Sequence, residues 1–432
     1  MTFVSKLAMA AVLTLGTTGL VATPAFAQKA DKKAKNENGD IKVSPEFRKA
    51  AAAAETAIAA AAAATDAKIK ADNQALADTS LIAAEGIAKN DDEKYYAAFL
   101  RLRLEFARKN DDAQLKALNV LINNPKTPPE NVKLYGAVFN YQMGARASQA
   151  KQHDEAIKYM LKARELGSTE IDVPIVLANA YSATGKNAEA IVEVDRAITT
   201  AKAKSGKAPE AWYQFAIPRV NAVGDRAAMA SWLSRFITDY PTLKNWQWGV
   251  QVFRSTAPAG ANVKSERIDT YRLLRATNAL PNRGEYADYA FAAQQFGLPW
   301  EALSVIAEGE KAGKLPKGDP DVAKTFKASS AQVSGSGSLE ALAKAAKTGE
   351  DLSQTADAFL ASGNQTRAIE LYDQALAKGG VNADEVNLHR GIAYQQLGQK
   401  DQARTAFAAV KAGPLANLAT LYTTSLDLPP LS

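Results

Sequence analysis

The chain has 432 residues, 47% of them apolar and 23% charged, with no cysteine and two histidines. The missing thiol excludes a disulfide scaffold, a thiolate metal site, a cysteine nucleophile and a haem-attachment motif, and two histidines argue against a multi-histidine metal centre. The apolar fraction is that of a packed protein, and the length predicts two or three domains or one elongated array.

Lys6, the uncharged and mostly apolar run from Leu7 to Val21, and Pro24-Ala25-Phe26-Ala27 together have the parts of a secretory signal peptide over residues 1–27, with cleavage expected between Ala27 and Gln28. An uncleaved anchor would want about 20 apolar residues, and Pro24 interrupts this run. No later run is apolar for long enough to span a bilayer, so no transmembrane segment is expected after signal removal and the mature chain is expected in the periplasm. Residues 28–44 read as a flexible polar leader and hold the only basic cluster, Lys29, Lys32, Lys33 and Lys35. Nucleic-acid binding asks for a basic stripe on a folded face, which this sequence does not offer. The net charge of +6 reads as a solubility balance, or as weak attraction to anionic envelope polymers.

Alternating β-branched runs are absent and alanine, leucine, lysine and glutamate dominate, which predicts an all-α protein. Residues 45–90 form an alanine-rich helical segment. Ser44-Pro45-Glu46 is a helix start, with an N-cap followed by proline in the first turn. The smooth Ala50–Ala64 surface suits either close packing on another helix or a low-complexity spacer.

Residues 91–328 carry a repeat. Around Ala190, small or large residues recur at fixed offsets: Ala178 twelve before, Tyr181 nine before, Gly185 five before and Ala197 seven after. Ala156 lies 34 residues earlier with Gly144 and Ala163 on the same grid, and Ala302 has Ala290, Gly297 and Ile306. Ala368 has Ala356, Phe359, Gly363, Tyr372 and Ala375, and Ala403, 35 residues on, has Gly391, Tyr394, Gly398 and Phe407. Two antiparallel helices joined by a tight turn explain the grid. A small residue on the first helix faces the small anchor on the second, a large residue fills the space beside it, and glycine ends the first helix in a left-handed conformation. Lys94–Pro125 and Glu210–Pro241 are degenerate copies; in the latter Met229 takes the anchor and Pro218 is expected to kink or shorten the first helix. Leu243–Leu280 reads as a helix pair without the signature. Residues 329–338, SSAQVSGSGS, are expected to be a loop or hinge, 339–426 a set of C-terminal repeats, and 427–432 a tail.

Leu177-Ala178-Asn179-Ala180-Tyr181 and Gly391-Ile392-Ala393-Tyr394 on first helices, with Ala368-Ile369-Glu370-Leu371-Tyr372 and Ala403-Arg404-Thr405-Ala406-Phe407 on second helices, resemble the tetratricopeptide repeat family. The resemblance implies an α-solenoid whose stacked units form one continuous body with few long-range contacts. It also implies that first helices line a concave groove for a peptide or partner helix. Carried onto matching positions, Tyr141, Ala145 and Ser148 would line it in one unit, and Ile175, Asn179 and Ser182 in the next. Ala287, Phe291 and Gln294 would follow, then Leu388, Ile392 and Gln395. Of the lysine, asparagine and arginine of the family's carboxylate clamp, only Asn179 matches.

Enzymatic signals fail on context. Ser148-Gln149-Ala150-Lys151 and Lys347-Thr348-Gly349 hint at a β-lactam-type serine enzyme, but Ser362-Gly363-Asn364 follows both and no strand is expected under the K-T-G. His153 is expected to be solvated and His389 exposed or groove-lining, neither with an acid–base partner. No cofactor and no metal is expected, and no enzyme. All five tryptophans, Trp212, Trp232, Trp246, Trp248 and Trp300, fall in one segment, as core filling or as a hot spot for a protein or glycan. The reading is a non-enzymatic periplasmic scaffold binding an envelope protein or peptide, with a glycan-binding or export-coupling part in cell-wall or polysaccharide machinery as the alternative, and a cell-wall-active enzyme third.

Overall fold

The computed structural model describes residues 42–256, 263–411 and 413–428. The expected signal peptide, its Ala27–Gln28 bond, most of the leader and the end of the tail lie outside them. Among the described residues there are twenty-one α-helices and no strand, and no helix is long and apolar enough to cross a membrane. The chain divides into two compact units between Lys204 and Ser205, so the 91–328 stretch is not one block.

Unit 1 begins with α1 (Pro45–Ala63) and α2 (Ala67–Ile87). Ser44 caps α1 by accepting from the Phe47 N–H at 3.3 Å, and Pro45 occupies the first turn. The alanines are a packing surface: Phe47, Ala51, Ala54, Ala57 and Ile58 are buried with Ala77, Leu81 and Ala84 of α2 in one apolar core, since methyl-sized side chains let two helices approach closely. The same core takes in α3 (Asp91–Arg108), α4 (Asp111–Asn123) and Tyr135 of α5 (Pro129–Gln149), so the alanine-rich pair opens the array. Glu93 of α3 ties the entrance. Burial opposes its charge, but the Ser44 N–H and hydroxyl, each at 2.8 Å, and the Lys89 N–H at 2.7 Å hold its carboxyl down at about 2. Then come α6 (His153–Glu165), α7 (Asp172–Ala183) and α8 (Asn187–Ser205), with Arg164 of α6 reaching Glu193 of α8 at 2.7 Å.

The repeat grid is physical. The anchors Ala156, Ala190, Ala302, Ala368 and Ala403 are all fully buried, and Gly185, Gly297, Gly363 and Gly398 have φ between 74° and 83° at helix ends. One detail differs from expectation. A Cβ on Gly144 would lie 2.9 Å from Met160, and one on Gly391 would lie 2.4 Å from the Phe407 ring. The small residue thus meets the large residue one turn beyond the anchor, because helical side chains lean toward the N-terminus and cover the preceding turn. Val194, Ile306 and Tyr372 hold the same position and are buried.

Unit 2 contains α9 (Glu210–Val223), α10 (Arg226–Asp239), α11 (Leu243–Ser255), α12 (Val263–Ala276), α13 (Arg283–Gln295), α14 (Pro299–Lys311) and α15 (Pro320–Ser336). These are followed by α16 (Leu339–Ala345), α17 (Gly349–Ala361), α18 (Gln365–Lys378), α19 (Ala383–Gln396), α20 (Lys400–Ala408) and α21 (Gly413–Asp427). Helix α9 continues past Pro218 to a Gly224 cap, with Pro218 on its exposed side. Residues 329–338 are not a loop: α15 runs to Ser336 and Ser329 is fully buried, leaving only Gly337 and Ser338 between helices. Serine and glycine disfavour helix by under about 1 kcal/mol each, which packing of Val322, Thr325 and Ser329 overrides.

The expectation of few long-range contacts also fails here. Helix α21 packs on α19 and α20 and also on α10 and α12, far earlier in the chain. Thr424 and Ser234 hydroxyls meet at 2.6 Å across 190 residues, and the Tyr422 hydroxyl donates to the Asp269 carbonyl at 2.7 Å. Leu415, Leu418, Leu421, Tyr422 and Leu426 of α21 are all buried, so the last helix is core.

Two substitutions test the helix contact. A mid-helix Gly→Ala change ordinarily stabilises by up to about 1 kcal/mol, yet Gly391→Ala should destabilise because the new methyl meets the Phe407 ring. Ala190→Leu should destabilise by about 1–3 kcal/mol through overpacking. Urea unfolding midpoints read both, and an unchanged midpoint in either variant contradicts the contact.

Candidate functional site

Helix α12 sets the site. Residues 268–274 are buried without a break, as neighbours α11, α13 and α21 surround the helix. Asp269 and Arg272 therefore lie inside the protein, and buried charges persist only when paired. Arg272 grips Glu301 of α14 with two parallel bonds, Nε to Oε1 at 2.8 Å and Nη2 to Oε2 at 2.6 Å, and its Nη1 donates to Asp269 at 3.0 Å. His389 of α19 sits with Nε2 3.1 Å from Asp269 Oδ1 and 2.9 Å from Arg272 Nη1, and Nδ1 2.7 Å from Asp357 Oδ1 on α17. Tyr289 donates to Glu301 at 2.5 Å and Tyr372 to Asp357 at 2.6 Å. The cluster holds the cations Arg272 and His389 among the carboxylates Asp269, Glu301 and Asp357. Burial opposes the charge on His389, but Asp357 and Asp269 outweigh it and push its pKa up to about 10. Burial likewise opposes ionisation of Asp357, and the His389 charge outweighs it and keeps the carboxyl low.

Beside this cluster lies a cavity of about 470 Å³, with Arg272 and Glu301 among its lining residues. Arg275 lines it too, bonded through Nε to Glu308 at 2.6 Å and through Nη2 to Ser304 at 3.0 Å. Gln365 donates to Gln396 at 3.0 Å, joining α18 to α19 by an exposed amide pair at the same cavity. A second cavity of about 260 Å³ shares Arg275, Asn278 and Glu308, so the Arg275–Glu308 pair belongs to both. Arginine and glutamate alternate with amides and hydroxyls, so the surface offers donors and acceptors with little net charge.

The expected groove residues part company. Asn179 is exposed and Ser182 half-buried on α7, while Phe291 is 54% exposed and Gln294 half-buried on α13. Ala145, Ser148, Ile175 and Ala287 are half-buried. Tyr141 is not groove surface: its ring packs with Met160, Val173 and Leu177, and its hydroxyl is 3.5 Å from Asp172. Leu388 and Ile392 are buried, and Gln395 is engaged with Ser425 of α21 at 2.8 Å. The returning last helix covers that face. His389 is neither exposed nor groove-lining but 4% exposed, its charge balanced by carboxylates from other helices.

Trp232 and Trp246 are buried and Trp212, Trp248 and Trp300 half-buried, with Trp248 set edge-on against Phe236 at 5.6 Å. Aromatic filling of a degenerate stretch accounts for these positions. Thr348 of the K-T-G caps α17 in a reciprocal capping box with Asp351, a structural use of that triplet. Among the described residues no group of three or more histidines and carboxylates is placed to hold a metal.

The ionic cluster has a definite pH signature. The folded pKa of His389 lies above its ordinary 6.5, so its contribution to stability is complete below about 6.5 and is lost as pH rises through about 10. The stability gap between the wild type and His389→Gln should be largest near pH 6 and shrink toward pH 10. Denaturant titrations of both proteins across that range measure it, and a gap that grows with pH contradicts the charged assignment.

No protein-family model matches the chain, and no curated protein matches it. Solved structures do. Against the structure of Naa15/Naa10 bound to HypK-THB the identity is 13% and the TM-score 0.26, covering 85% of this chain and 65% of that one, so the chain spans less than two thirds of that protein's length. The TPR domain of P58(IPK) gives 13% identity and a TM-score of 0.23, covering 86% and 98%. The Cut9–Hcn1 hetero-tetramer of APC/C gives 10% identity and a TM-score of 0.19, covering 87% and 96%. The chain's own helix pairs, with their small-against-large contacts and glycine stops, make it an all-α protein of the α-solenoid type, built from tetratricopeptide-like helix-turn-helix units.

Proposed function

We propose that this chain is a non-enzymatic scaffold of the bacterial periplasm that binds a protein or peptide segment through the inner surface of its helix pairs. The observation that carries this reading is the polar cavity of about 470 Å³ in unit 2. Its size falls in the range of ligand sites, which is about 300–1,000 Å³. Its mixture of paired charges, amides and hydroxyls suits the alternating donors and acceptors of a peptide backbone better than an apolar or strongly anionic ligand. The accessible Asn179, Ser182, Phe291 and Gln294 extend the same mixed apolar and amide character to other first helices. Location in the periplasm rests on the signal-like N-terminus.

The test is capture of partners from crosslinked cell envelopes with tagged mature protein, followed by two paired variants. Gln365→Ala with Gln396→Ala removes amides that carry no core contact. Each side-chain hydrogen bond is worth about 0.5–1.5 kcal/mol, so affinity for the captured partner should fall about tenfold while the melting temperature stays unchanged. Asn179→Ala with Gln294→Ala should also weaken capture without affecting melting. Undiminished binding in both pairs would remove the helix-pair surface as the binding site.

A further inference from the structure

Helix α2 is apolar on two opposite sides. Ala77, Leu81 and Ala84 face the core of unit 1 and are fully buried. On the other side Ala75, Leu76, Thr79, Ile82, Ala83 and Gly86 are all exposed, Leu76 by 56% and Ile82 by 62%. Spacings of three and four residues keep these six on one face. The only charged residues between Asn73 and Ile87 are Asp78 and Glu85. Arg101 of α3 holds both, Glu85 through two bonds at 2.8 and 2.9 Å, so they belong to the side that meets α3. A helix that is apolar all round is ordinarily enclosed.

Gly86 sets this face apart from the paired ones. Gly144 and Gly391 each lie under a large side chain of another helix, whereas a Cβ on Gly86 would meet nothing within 4 Å. Glycine costs a helix stability relative to alanine unless an element has to come close, and within the described chain none does at Gly86. The exposed face is also symmetric in sequence. Three residues either way from Thr79 stand the large aliphatics Leu76 and Ile82, and four either way stand Ala75 and Ala83. A two-fold contact requires such symmetry, since residue i must meet j while j meets i. Residues seven apart share a row along a helix, so Leu76 runs with Ala83 and Ala75 with Ile82. Against a second α2 running antiparallel, with the axis at Thr79, each row meets its own reverse. Leu76 then lies on Ala83 of the other copy and Ile82 on Ala75, the small-against-large contact that joins helices within the chain. Asp72, at the edge of the face, lies opposite Gly86 and meets no like charge.

We infer that the outer face of α2 is where two copies of this chain meet, antiparallel about Thr79. A face that carries both the large and the small members of the contact complements itself, which makes a second copy its natural occupant. A bilayer fits less well, because helices that lie on membranes carry lysine or arginine beside the apolar face, and none stands between Asn73 and Ile87. The inference does not depend on the scaffold reading and uses no part of the cavities in unit 2.

A contact of one helix a side is at the small end of interfaces, so the full mature chain is sized by sedimentation velocity at about 100 μM, where a dimer is expected. Leu76→Glu with Ile82→Glu brings four carboxylates together and should weaken the dimer at least about hundredfold. Both side chains are exposed in the single chain, so the melting temperature of dilute protein should not change. Val192→Glu on α8, another exposed apolar position, should leave the dimer intact. The chain has no cysteine, so Thr79→Cys supplies a single thiol that mild oxidation should join across the axis. Thr199→Cys, at an exposed threonine of α8, should stay unlinked. A monomer at about 100 μM overturns the inference. So does a dimer that survives both glutamates, one lost equally in Val192→Glu, or one in which Thr79→Cys links no faster than Thr199→Cys. Binding of a monomer to phosphatidylglycerol vesicles, lost in the double-glutamate variant, overturns it in favour of a lipid surface.

Discussion

Two helices can lie close together only where one of them gives up a side chain. In this protein that condition recurs along the chain: Gly144 under Met160 and Gly391 under the Phe407 ring, with alanines in the corresponding places of other pairs. Dispersion falls off steeply with separation, so the approach that a missing Cβ permits gives the large residue opposite a full set of contacts. Each pair is thereby fixed in register by one small and one large residue. The alanine-rich α1 follows the same constraint with methyl groups in place of glycine, which is why it packs instead of spacing.

Unit 2 adds a second constraint of a different kind. A helix enclosed on all sides ordinarily carries no charge, yet α12 carries Asp269 and Arg272, and the cost of burying them is met by Glu301, His389 and Asp357 from three other helices. Such an arrangement defines a unique packing more sharply than an apolar core would, because a shifted helix leaves a charge unpaired. The tyrosines Tyr289 and Tyr372 add a second donor to the carboxylate oxygens that Arg272 and His389 already engage, Glu301 Oε1 and Asp357 Oδ1. Within the cluster, Arg272, His389 and Asp357 each have a charged partner on another helix.

Much of this was legible in the sequence. The repeat grid, the glycine stops and the anchors are local in chain and written in residue size. The hinge reading of 329–338 failed because composition measures propensity, and the buried Val322, Thr325 and Ser329 decide the matter through tertiary contact. The groove reading failed at Leu388, Ile392 and Gln395 because it was carried over from an open array, and nothing local to those residues says that the last helix returns to cover them. His389 was misplaced for the same reason: its partners lie 120 residues away at Asp269 and on another helix at Asp357. Nothing local to α12 gave the pair away: Ile268, Tyr271, Leu273 and Leu274 leave Asp269 and Arg272 together on one side of the helix, where an amphipathic helix would meet solvent, and α14, α19 and α21 enclose them.

The return of α21 also bears on the order in which the protein comes together. Contacts in unit 1 run mostly between successive helices, so each can form as soon as its neighbour exists. Unit 2 is different: the hydroxyl contact between Ser234 and Thr424 closes a loop of 190 residues, and the apolar side of α21 completes the core around α12. Closing so long a loop costs chain entropy before any contact repays it, which slows folding relative to local pairing. Protease resistance in unit 2 should therefore arrive late, after unit 1 is already protected, and a chain stopped before Gly413 would present its unfinished interior to whatever chaperones and proteases share its compartment.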